Sequence, residues 1–401
     1  MYFAIHENKV YGAMIKNYLL EKSRVVSVAP NERGYHIFYF LLGGADLVTL
    51  KELGLTGPDG KALHWNKFNY LKTGGERPEN AQKEFNEVVD TMNKMCFSEE
   101  EKMGIWRCVA AILHMGEIDF VKTSFDDEKS PSKPGKIKDE SKANLIAQLL
   151  GYENPDDFKK VMLQSVNVIR NQEMWMPQGY VVCINNRDAL AKKLYDNMFN
   201  WLVVKMNGTI QPAELGDSSF DSMAKTIGLL DIFGFENFDK NNYEQFCINY
   251  VNEKLHKLYI AAIFEAEKMD LTEEGLGEVA ERIEYPRTQV LEILRLMDFD
   301  GTSVKYKGIK FPAPPPKGIF TQVDDTCKNL IADVTWEQVL YEVEEAHKNN
   351  KAVFKKKGPR EREKFIIEHS AQPVMYDIKE FRDRNIDNIP QGLDDSLKNK
   401  T

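Results

Sequence analysis

The sequence has no hydrophobic run long enough to cross a membrane. Its longest apolar segment, Ile105 to Met115, contains Arg107 and His114 and falls well short of the ~18–20 residues that a spanning helix needs. The opening residues, MYFAIHENKV, lack the basic start, the apolar stretch and the small-residue cleavage site of a signal peptide. We therefore expect a cytoplasmic protein without a membrane span.

Cysteine and histidine are too scattered to predict a disulfide framework or a metal site. The five cysteines are odd in number and never form a CxxC motif, so we expect reduced structural thiols. The seven histidines lie apart from one another and from the cysteines, whereas a transition-metal site needs its ligands at characteristic spacings. Both patterns argue against a dedicated transition-metal site.

Two common catalytic motifs are missing from the 401 residues. The sequence contains no GxSxG nucleophile elbow and no GxxxxGK[ST] loop, whose backbone amides and lysine hold nucleotide phosphates. The nearest segment, GPDGKA at 57–62, has the wrong spacing and is typical of a turn. Neither nucleophilic catalysis nor a phosphate-binding loop is therefore predicted from these residues.

The composition is that of a globular protein, with 42% hydrophobic and 29% charged residues. A net charge of −9 argues against general nucleic-acid binding. One segment departs from this acidity, because residues 348–364 carry eight basic and two acidic side chains. We therefore expect one cationic surface on an acidic protein.

Apolar periodicity predicts an α+β protein that is predominantly helical. A β-hairpin fits the opening YFAIHENKVYGAMI, and two short strands fit FIIEHSAQPVMY. Capping pairs predict helix starts at Ser98, Asn241 and Thr335, each followed by Glu or Gln three residues later. Loops are predicted at 122–142 and at the proline-rich 298–317. The predicted helical ranges are 79–95, 99–115, 187–207, 241 to about 268, 318–331 and 335–347.

The segment TIGLLDIFGFE, residues 226–236, is the one that suggests chemistry. Its continuous apolar residues predict a central strand that is buried on both faces. In several phosphate-transfer sites an aspartate at a strand end holds magnesium through water, and a following glycine lets an N–H approach a terminal phosphate. Asp231, Gly234 and Glu236 fit that pattern. A buried strand that ends in a glycine turn explains the same residues equally well. These residues alone therefore leave both interpretations open, a phosphate-transfer site and a purely structural strand.

The longer context decides between them. LLDIFGFENFDKNNYEQFCINYVNEKL, residues 229–255, resembles the switch II strand and relay helix of the myosin motor domain. The resemblance covers most of residues 2–389, strongly to about 267 and again from 365. Five further segments resemble the same family in its order: GAMIKNYLLEKSRVV, ERGYHIFYFLLGGA, IWRCVAAILHMGEIDF, RDALAKKLYDNMFNWLVVKMN and FIIEHSAQPVMYDIKEFRDRN.

The resemblance implies an incomplete myosin head of the P-loop NTPase type, with a few central sheet strands and long helices. Residues 1–222 would hold the strands after switch I and the upper actin-facing subdomain. Residues 223–270 would be the switch II strand and the relay helix. Residues 271–401 would be the lower actin-facing subdomain, itself incomplete.

The resemblance also implies roles for the three candidate catalytic residues. Asp231 would hold magnesium through water, the Gly234 N–H would sense the γ-phosphate of Mg-ATP, and Glu236 would pair with a switch I arginine to position the attacking water. The family's GESGAGKT loop and NxNSSRFGK switch I are not among the 401 residues. Because phosphoryl transfer depends on positioning and charge stabilisation, we expect this chain alone to bind no Mg-ATP and to show negligible ATPase activity.

Three surfaces would face an actin filament according to the same resemblance. They are the loop RNQEMWMPQGY at 170–180, the helical hairpin at 318–347 and the basic segment 348–364. A packed loop anchor explains the tryptophan equally well, and a solvated charged loop explains the lysines equally well. The candidate contact residues are Trp175, Ile319, Val323, Lys355, Lys356 and Lys357.

We therefore predict part of a cytoskeletal motor whose complete parent couples actin-activated ATP hydrolysis to movement. The alternative is a non-enzymatic actin-binding scaffold derived from a myosin head, and a third possibility is an inert, poorly folding piece. A phosphate loop and switch I encoded upstream of Met1 would favour the motor. A stop codon there in authentic transcript would favour the scaffold.

Overall fold

The fold is described from a computed structural model of the chain. It describes residues 2–4, 9–18, 20–28, 32–75, 78–121, 135–169, 172–212, 224–283, 287–299, 317–328, 335–348, 350, 354–356, 358 and 361–385. The chain divides into two compact units, a first unit of residues 1–229 with 388–401 and a second unit of residues 230–387.

The first unit opens with a small antiparallel sheet. Strands β1 (Tyr2–Ala4) and β2 (Lys9–Gly12) form the hairpin that the sequence predicts, and β5 (Ala224–Thr226) pairs with the other edge of β1. The strand order is therefore β2-β1-β5.

Helices form most of the first unit. They are α1 (Ser23–Val26), α2 (His36–Gly44), α3 (Leu47–Glu52), α4 (Ala81–Lys94), α5 (Glu99–Met115), α6 (Glu140–Leu149), α7 (Pro155–Leu163) and α8 (Tyr180–Ile210). Helix α5 lies at the centre of their shared core, with Val109 to Leu113 almost fully buried. It begins as the sequence predicts, because the Ser98 Oγ accepts from the Glu101 N–H and the Glu101 carboxylate accepts from the Ser98 N–H.

A hairpin that the periodicity did not predict precedes α8. Strands β3 (Gln164–Ile169) and β4 (Gln172–Pro177) pair antiparallel along their whole length, so that Trp175 lies opposite Val166. Asn186 on α8 donates a hydrogen bond to the Met162 carbonyl oxygen, which joins the last turn of α7, just before the hairpin, to α8. Helix α8 itself contains the predicted range 187–207 and extends it at both ends.

The second unit is built around one long helix, α9 (Tyr243–Glu273). Shorter helices accompany it: α10 (Gly277–Arg282), α11 (Arg287–Met297), α12 (Ile319–Lys328), α13 (Trp336–His347) and α14 (Phe381–Asn385). Helices α12 and α13 are the helical hairpin that the sequence predicts. The Thr335 N–H donates to the Gln338 side chain at the start of α13, which is half of the predicted capping pair.

The sheet of the second unit has three antiparallel strands in the order β6-β7-β8. These are β6 (Phe354–Lys356), β7 (Lys364–Glu368) and β8 (Pro373–Asp377), and the last two are the strands predicted from FIIEHSAQPVMY. Phe365, Ile367, Val374 and Tyr376 are fully buried against the first turns of α9. The predicted α+β class with predominant helix is confirmed.

The predicted cap of α9 is wrong by one residue. The helix begins after Asn242, whose N–H donates to the Gln245 Oε1 at 3.0 Å, and not after Asn241. The Asn241 side chain instead accepts from the Phe238 N–H and donates to the Met375 carbonyl oxygen. Asn241 therefore fastens the preceding turn to β8, a nonlocal role that a local capping pattern cannot reveal.

Candidate functional site

The predicted central strand at 226–236 is wrong in this structure. Strand β5 ends at Thr226, and residues 227–238 have no regular secondary structure. Leu229 is 84% exposed, and Ile227, Leu230 and Phe233 are also exposed. An apolar run is buried as a strand only where neighbouring strands and covering helices meet it, and among the described residues β5 pairs with β1 alone.

The three candidate catalytic residues lie on this irregular segment, directly before α9. Asp231 and Gly234 are exposed, and Glu236 is half-buried. A Cβ built on Gly234 would meet no described atom within 4 Å, so the space beside its backbone is open. The Gln245 side chain donates to the Glu236 carboxylate at 3.2 Å. The backbone of the segment is thus accessible at Gly234, whereas the side chain of Glu236 is held by a hydrogen bond.

The Glu236 backbone is held by the side chain of Asn249 on α9. The Asn249 Oδ1 accepts from the Glu236 N–H at 2.8 Å, and its Nδ2 donates to the Glu236 carbonyl oxygen at 2.8 Å. One turn further along, the Asn252 Nδ2 donates to the Phe233 carbonyl oxygen at 3.1 Å. Two asparagines therefore fix the backbone of the segment to the same face of α9.

A chain of buried hydrogen bonds continues from Asn249 into the sheet. The second Nδ2 hydrogen of Asn249 is donated to the Tyr376 hydroxyl at 2.8 Å, and this hydroxyl lies 2.8 Å from the His369 Nε2. The His369 Nδ1 lies 3.0 Å from the Glu253 Oε1. One assignment satisfies every partner: a neutral histidine that accepts from Tyr376 and donates to Glu253. Asn249, Glu253, His369 and Tyr376 are all at most 4% exposed.

The Glu253 carboxylate is the end of this chain. Its Oε1 also accepts from the Ser370 N–H at 2.7 Å, and its Oε2 accepts from the Ser370 hydroxyl at 2.7 Å. Burial by itself would raise the pKa of Glu253, but the hydrogen bonds from His369 and Ser370 outweigh it and lower that pKa. Helix α9 is thereby joined to the turn between β7 and β8 by an ionised, fully hydrogen-bonded carboxylate.

These polar residues were not singled out from the sequence. Asn249 and Glu253 are spaced i, i+4 with Phe246 at i−3, so they continue the buried face of α9 as polar residues at core positions. Polar residues at these core positions are the local signal by which Asn249 and Glu253 could have been found. Phe246 is buried as predicted, whereas Leu258, placed on the same apolar stripe by the sequence, is 67% exposed.

A magnesium–nucleotide site is not formed by the described residues alone. Mg²⁺ needs near-octahedral oxygen coordination, usually by carboxylates, waters and substrate phosphates together. Among the described residues no group of three or more His, Cys, Asp and Glu side chains could hold a metal ion. The exposed Asp231 carboxylate supplies one acidic group, which suits contact through water and does not form a cage.

The candidate actin-facing residue Trp175 lies on β4 and is half-buried. The Lys160 Nζ of α7 lies 4.0 Å from the centre of its ring, a cation–π contact. Its neighbours Met174 and Met176 are 53% and 42% exposed. The tryptophan is therefore packed on one side while the strand presents thioether groups to solvent, so both of its predicted roles stay open.

Ile319 and Val323, the two candidate contact residues on α12, do not lie on the surface in this structure. Both side chains are fully buried in the core of the second unit, where they pack with the face of α12 that turns inward. Helical periodicity places positions i and i+4 on one face, and here that face is the core. A partner would meet α12 through other side chains, such as the exposed Asp324.

The three candidate lysines are only partly described. Lys355 on β6 is exposed and forms an ion pair with Glu368 on β7. Lys356 belongs to β6, although its side chain is not described, and Lys357 lies outside the described residues. Lys348 and Lys364 pair with Glu345 and Glu361. Neighbouring carboxylates thus compensate part of the positive charge that the sequence shows.

The comparisons with known proteins agree on one family. The profile of the family described as Myosin head (motor domain) matches residues 2–401. The chain is 32% identical over 407 residues to Myosin-K heavy chain of Dictyostelium discoideum, covering 98% of this chain and 42% of that protein. It is 34% identical over 396 residues to Myosin-I heavy chain of the same organism, covering 98% of this chain and 15% of that protein.

A human relative gives the same result. Unconventional myosin-Id of Homo sapiens is 32% identical over 392 residues, covering 95% of this chain and 35% of that protein. The chain thus spans less than half the length of each of these relatives. In the part of the chain that the structure describes, no helix is both long and apolar enough to span a bilayer. The chain belongs to the myosin head (motor domain) family.

Proposed function

We propose that this chain serves a cytoskeletal motor, in which it links a nucleotide-sensing segment to an actin-facing surface. The observation that supports this most is the double hydrogen bond between Asn249 and the Glu236 backbone. Through these bonds a displacement of the Asp231–Glu236 segment would be passed to the first turns of α9. In the complete motor, Asp231 would approach magnesium through water, Gly234 would meet the γ-phosphate of ATP, and Glu236 would help to position the attacking water.

Helix α9 has the dimensions and the surface of an element that transmits movement. Its 31 residues span roughly 46 Å at ~1.5 Å per residue. Its first half is tied to the segment and to the sheet, whereas Leu258, Tyr259, Ile263 and Met269 in its second half are exposed. A small displacement at the tied end would therefore be carried to a distant apolar surface by a continuous helix.

The proposed filament partner is actin, reached through the basic segment and the β3–β4 hairpin. We expect the chain to co-sediment with actin filaments at low ionic strength and to be released at high ionic strength, because exposed charges are screened within about 10 Å at ~0.1 M salt. Neutralising the three lysines should remove most low-salt pelleting. The substitutions are Lys355→Ala, Lys356→Ala and Lys357→Ala.

The matched control removes the same charge elsewhere. Three exposed lysines of the first unit, replaced together, should leave pelleting near the level of the unchanged chain; they are Lys51, Lys67 and Lys94. If the unchanged chain does not pellet at low salt, the proposed actin surface is rejected. Equal loss in both triple variants would show a general charge effect and would reject the basic segment as the contact.

A second measurement concerns nucleotide. We expect the purified chain to release no phosphate from Mg-ATP above the protein-free background, with or without actin. The described residues supply the Asp231 and Glu236 carboxylates, whereas the sequence contains no GxxxxGK[ST] cradle to hold the phosphates. Phosphate release that disappears in a Glu236→Ala variant would contradict this expectation, since it would place turnover in this polypeptide.

A further inference from the structure

A cavity of about 310 Å³ that is partly open to solvent lies in the first unit, between α5, α8 and the end of α6. Ile105 and Cys108 line it from α5, and Leu194, Met198 and Trp201 line it from α8. Each set follows helical spacing, so each helix turns one continuous face to the space. The residues that line the cavity have no part in the proposed motor function.

A glycine in the middle of α5 keeps this space open. Gly104 lines the cavity, and a Cβ built on it would meet no described atom within 4 Å. Glycine inside a helix is less stable than alanine, because it loses more conformational freedom on folding. Close packing does not explain Gly104, since a side chain would fit there. Because Gly104 has no side chain, this part of the cavity wall is formed by backbone alone.

The lining is mainly apolar, and its two charged side chains already have partners. Glu101 pairs with Lys205 at 2.6 Å, and Arg107 pairs with Glu52 at 2.7 Å. Burial raises the pKa of the Cys108 thiol to about 11, so the thiol stays protonated and acts as part of an apolar wall. A bound molecule would therefore be held without a covalent bond and without a compensating charge.

We propose that this cavity is a binding site for a neutral, planar aromatic molecule of about two fused rings. Its volume is at the lower end of the ~300–1,000 Å³ that small-molecule sites occupy, which suits a ligand of this size. The indole of Trp201 offers an aromatic face, and Met198 offers a polarisable, adaptable side chain beside it. Such a ligand would bury apolar area and leave both edge ion pairs intact.

The test uses 6-propionyl-2-(dimethylamino)naphthalene, a neutral, planar probe of two fused rings whose emission shifts to shorter wavelength in apolar surroundings. We expect saturable binding at one site per chain, with energy transfer from tryptophan that falls in a Trp201→Phe variant. Gly104→Leu places a side chain in the cavity and should weaken binding at least tenfold. Gly208→Leu is the matched control, because Gly208 is an exposed glycine of α8 whose Cβ would also meet no described atom within 4 Å.

The outcomes are distinguishable. Loss of binding in Gly104→Leu with retention in Gly208→Leu supports the site, provided that both variants keep the far-ultraviolet circular dichroism of the unchanged chain. Binding that is absent, that does not saturate at one site, or that is equal in the two variants rejects the site. If Gly104→Leu does not fold, hydrogen exchange on the unchanged chain decides: the probe must slow exchange in 101–108 and 194–201, and no slowing there rejects the site.

Discussion

Replacing Phe246 with alanine is expected to lower the free energy of unfolding of the second unit by about 3–5 kcal/mol. Phe246 is fully buried, and it is the centre of an aromatic cluster. Its ring centroid lies 4.6 Å from that of Phe320, 5.3 Å from that of Tyr376 and 5.4 Å from that of Phe381. Alanine leaves a cavity among rings from three separate elements, α12, β8 and α14, which cannot all close around it.

Hydrogen exchange resolved to peptides is the suitable measurement, because four of the five tryptophans lie in the first unit and would dominate fluorescence. Amides of β7 and β8 should exchange several hundredfold faster or more, as expected when global opening is easier by the stated amount. Phe238→Ala is the control, since Phe238 is 53% exposed and surface changes are usually within about 0.5 kcal/mol. Equal effects of the two substitutions would contradict the central position of Phe246.

Local patterns predicted the helices well because the information lies within the helices themselves. The side chains of Ser98 and Glu101 each accept a hydrogen bond from the other residue's backbone N–H. The start of α5 can therefore be predicted from four consecutive residues. The apolar faces of α5 and α8 likewise repeat at the helical period. The hairpin β3–β4 was missed because the two residues between its strands, Arg170 and Asn171, are not one of the glycine-containing pairs that usually indicate a hairpin.

The sequence indicated the candidate residues but could not predict the structure that surrounds them. The family resemblance identified Asp231, Gly234 and Glu236, but the partners of Glu236 come from α9 and, through Tyr376, from a strand 127 residues beyond Asn249. Periodicity cannot detect such nonlocal hydrogen bonds. The buried strand predicted at 226–236 failed for a related reason, because burial of a strand depends on which other strands pair beside it.

Replacing Glu253 is expected to have an effect of similar size. Glu253→Ala should lower the free energy of unfolding of the second unit by about 3–5 kcal/mol, because each buried donor left without an acceptor costs ~1–3 kcal/mol. Three donors, the His369 Nδ1–H, the Ser370 N–H and the Ser370 hydroxyl, would lose their acceptor. Peptide-resolved hydrogen exchange in β7, β8 and the first half of α9 measures it.

Two further variants separate hydrogen bonding from simple loss of volume. Glu253→Gln keeps the shape and one acceptor oxygen, and the Ser370 hydroxyl can turn to accept from the new amide, so it should cost only about 1–2 kcal/mol. Glu267→Ala, on an exposed position of the same helix, should cost less than about 0.5 kcal/mol. A glutamine variant as unstable as the alanine variant would show that charge matters more than the number of acceptors.

The same comparison predicts a dependence on pH whose sign follows from the lowered pKa of Glu253. A carboxyl group with a lower pKa in the folded state than in the unfolded state stabilises the fold fully above the unfolded value, ~4.3 for glutamate. That stabilisation disappears as the pH falls through the folded value. The stability difference between the unchanged chain and Glu253→Gln should therefore be constant from about pH 5 to 7 and should shrink steadily below about pH 4.3. A difference that instead grows on acidification would mean that Glu253 is protonated in the folded state. Glu253 would then donate to the His369 Nδ1 and the His369 Nε2–H would donate to the Tyr376 hydroxyl, while Asn249 would still donate to that hydroxyl.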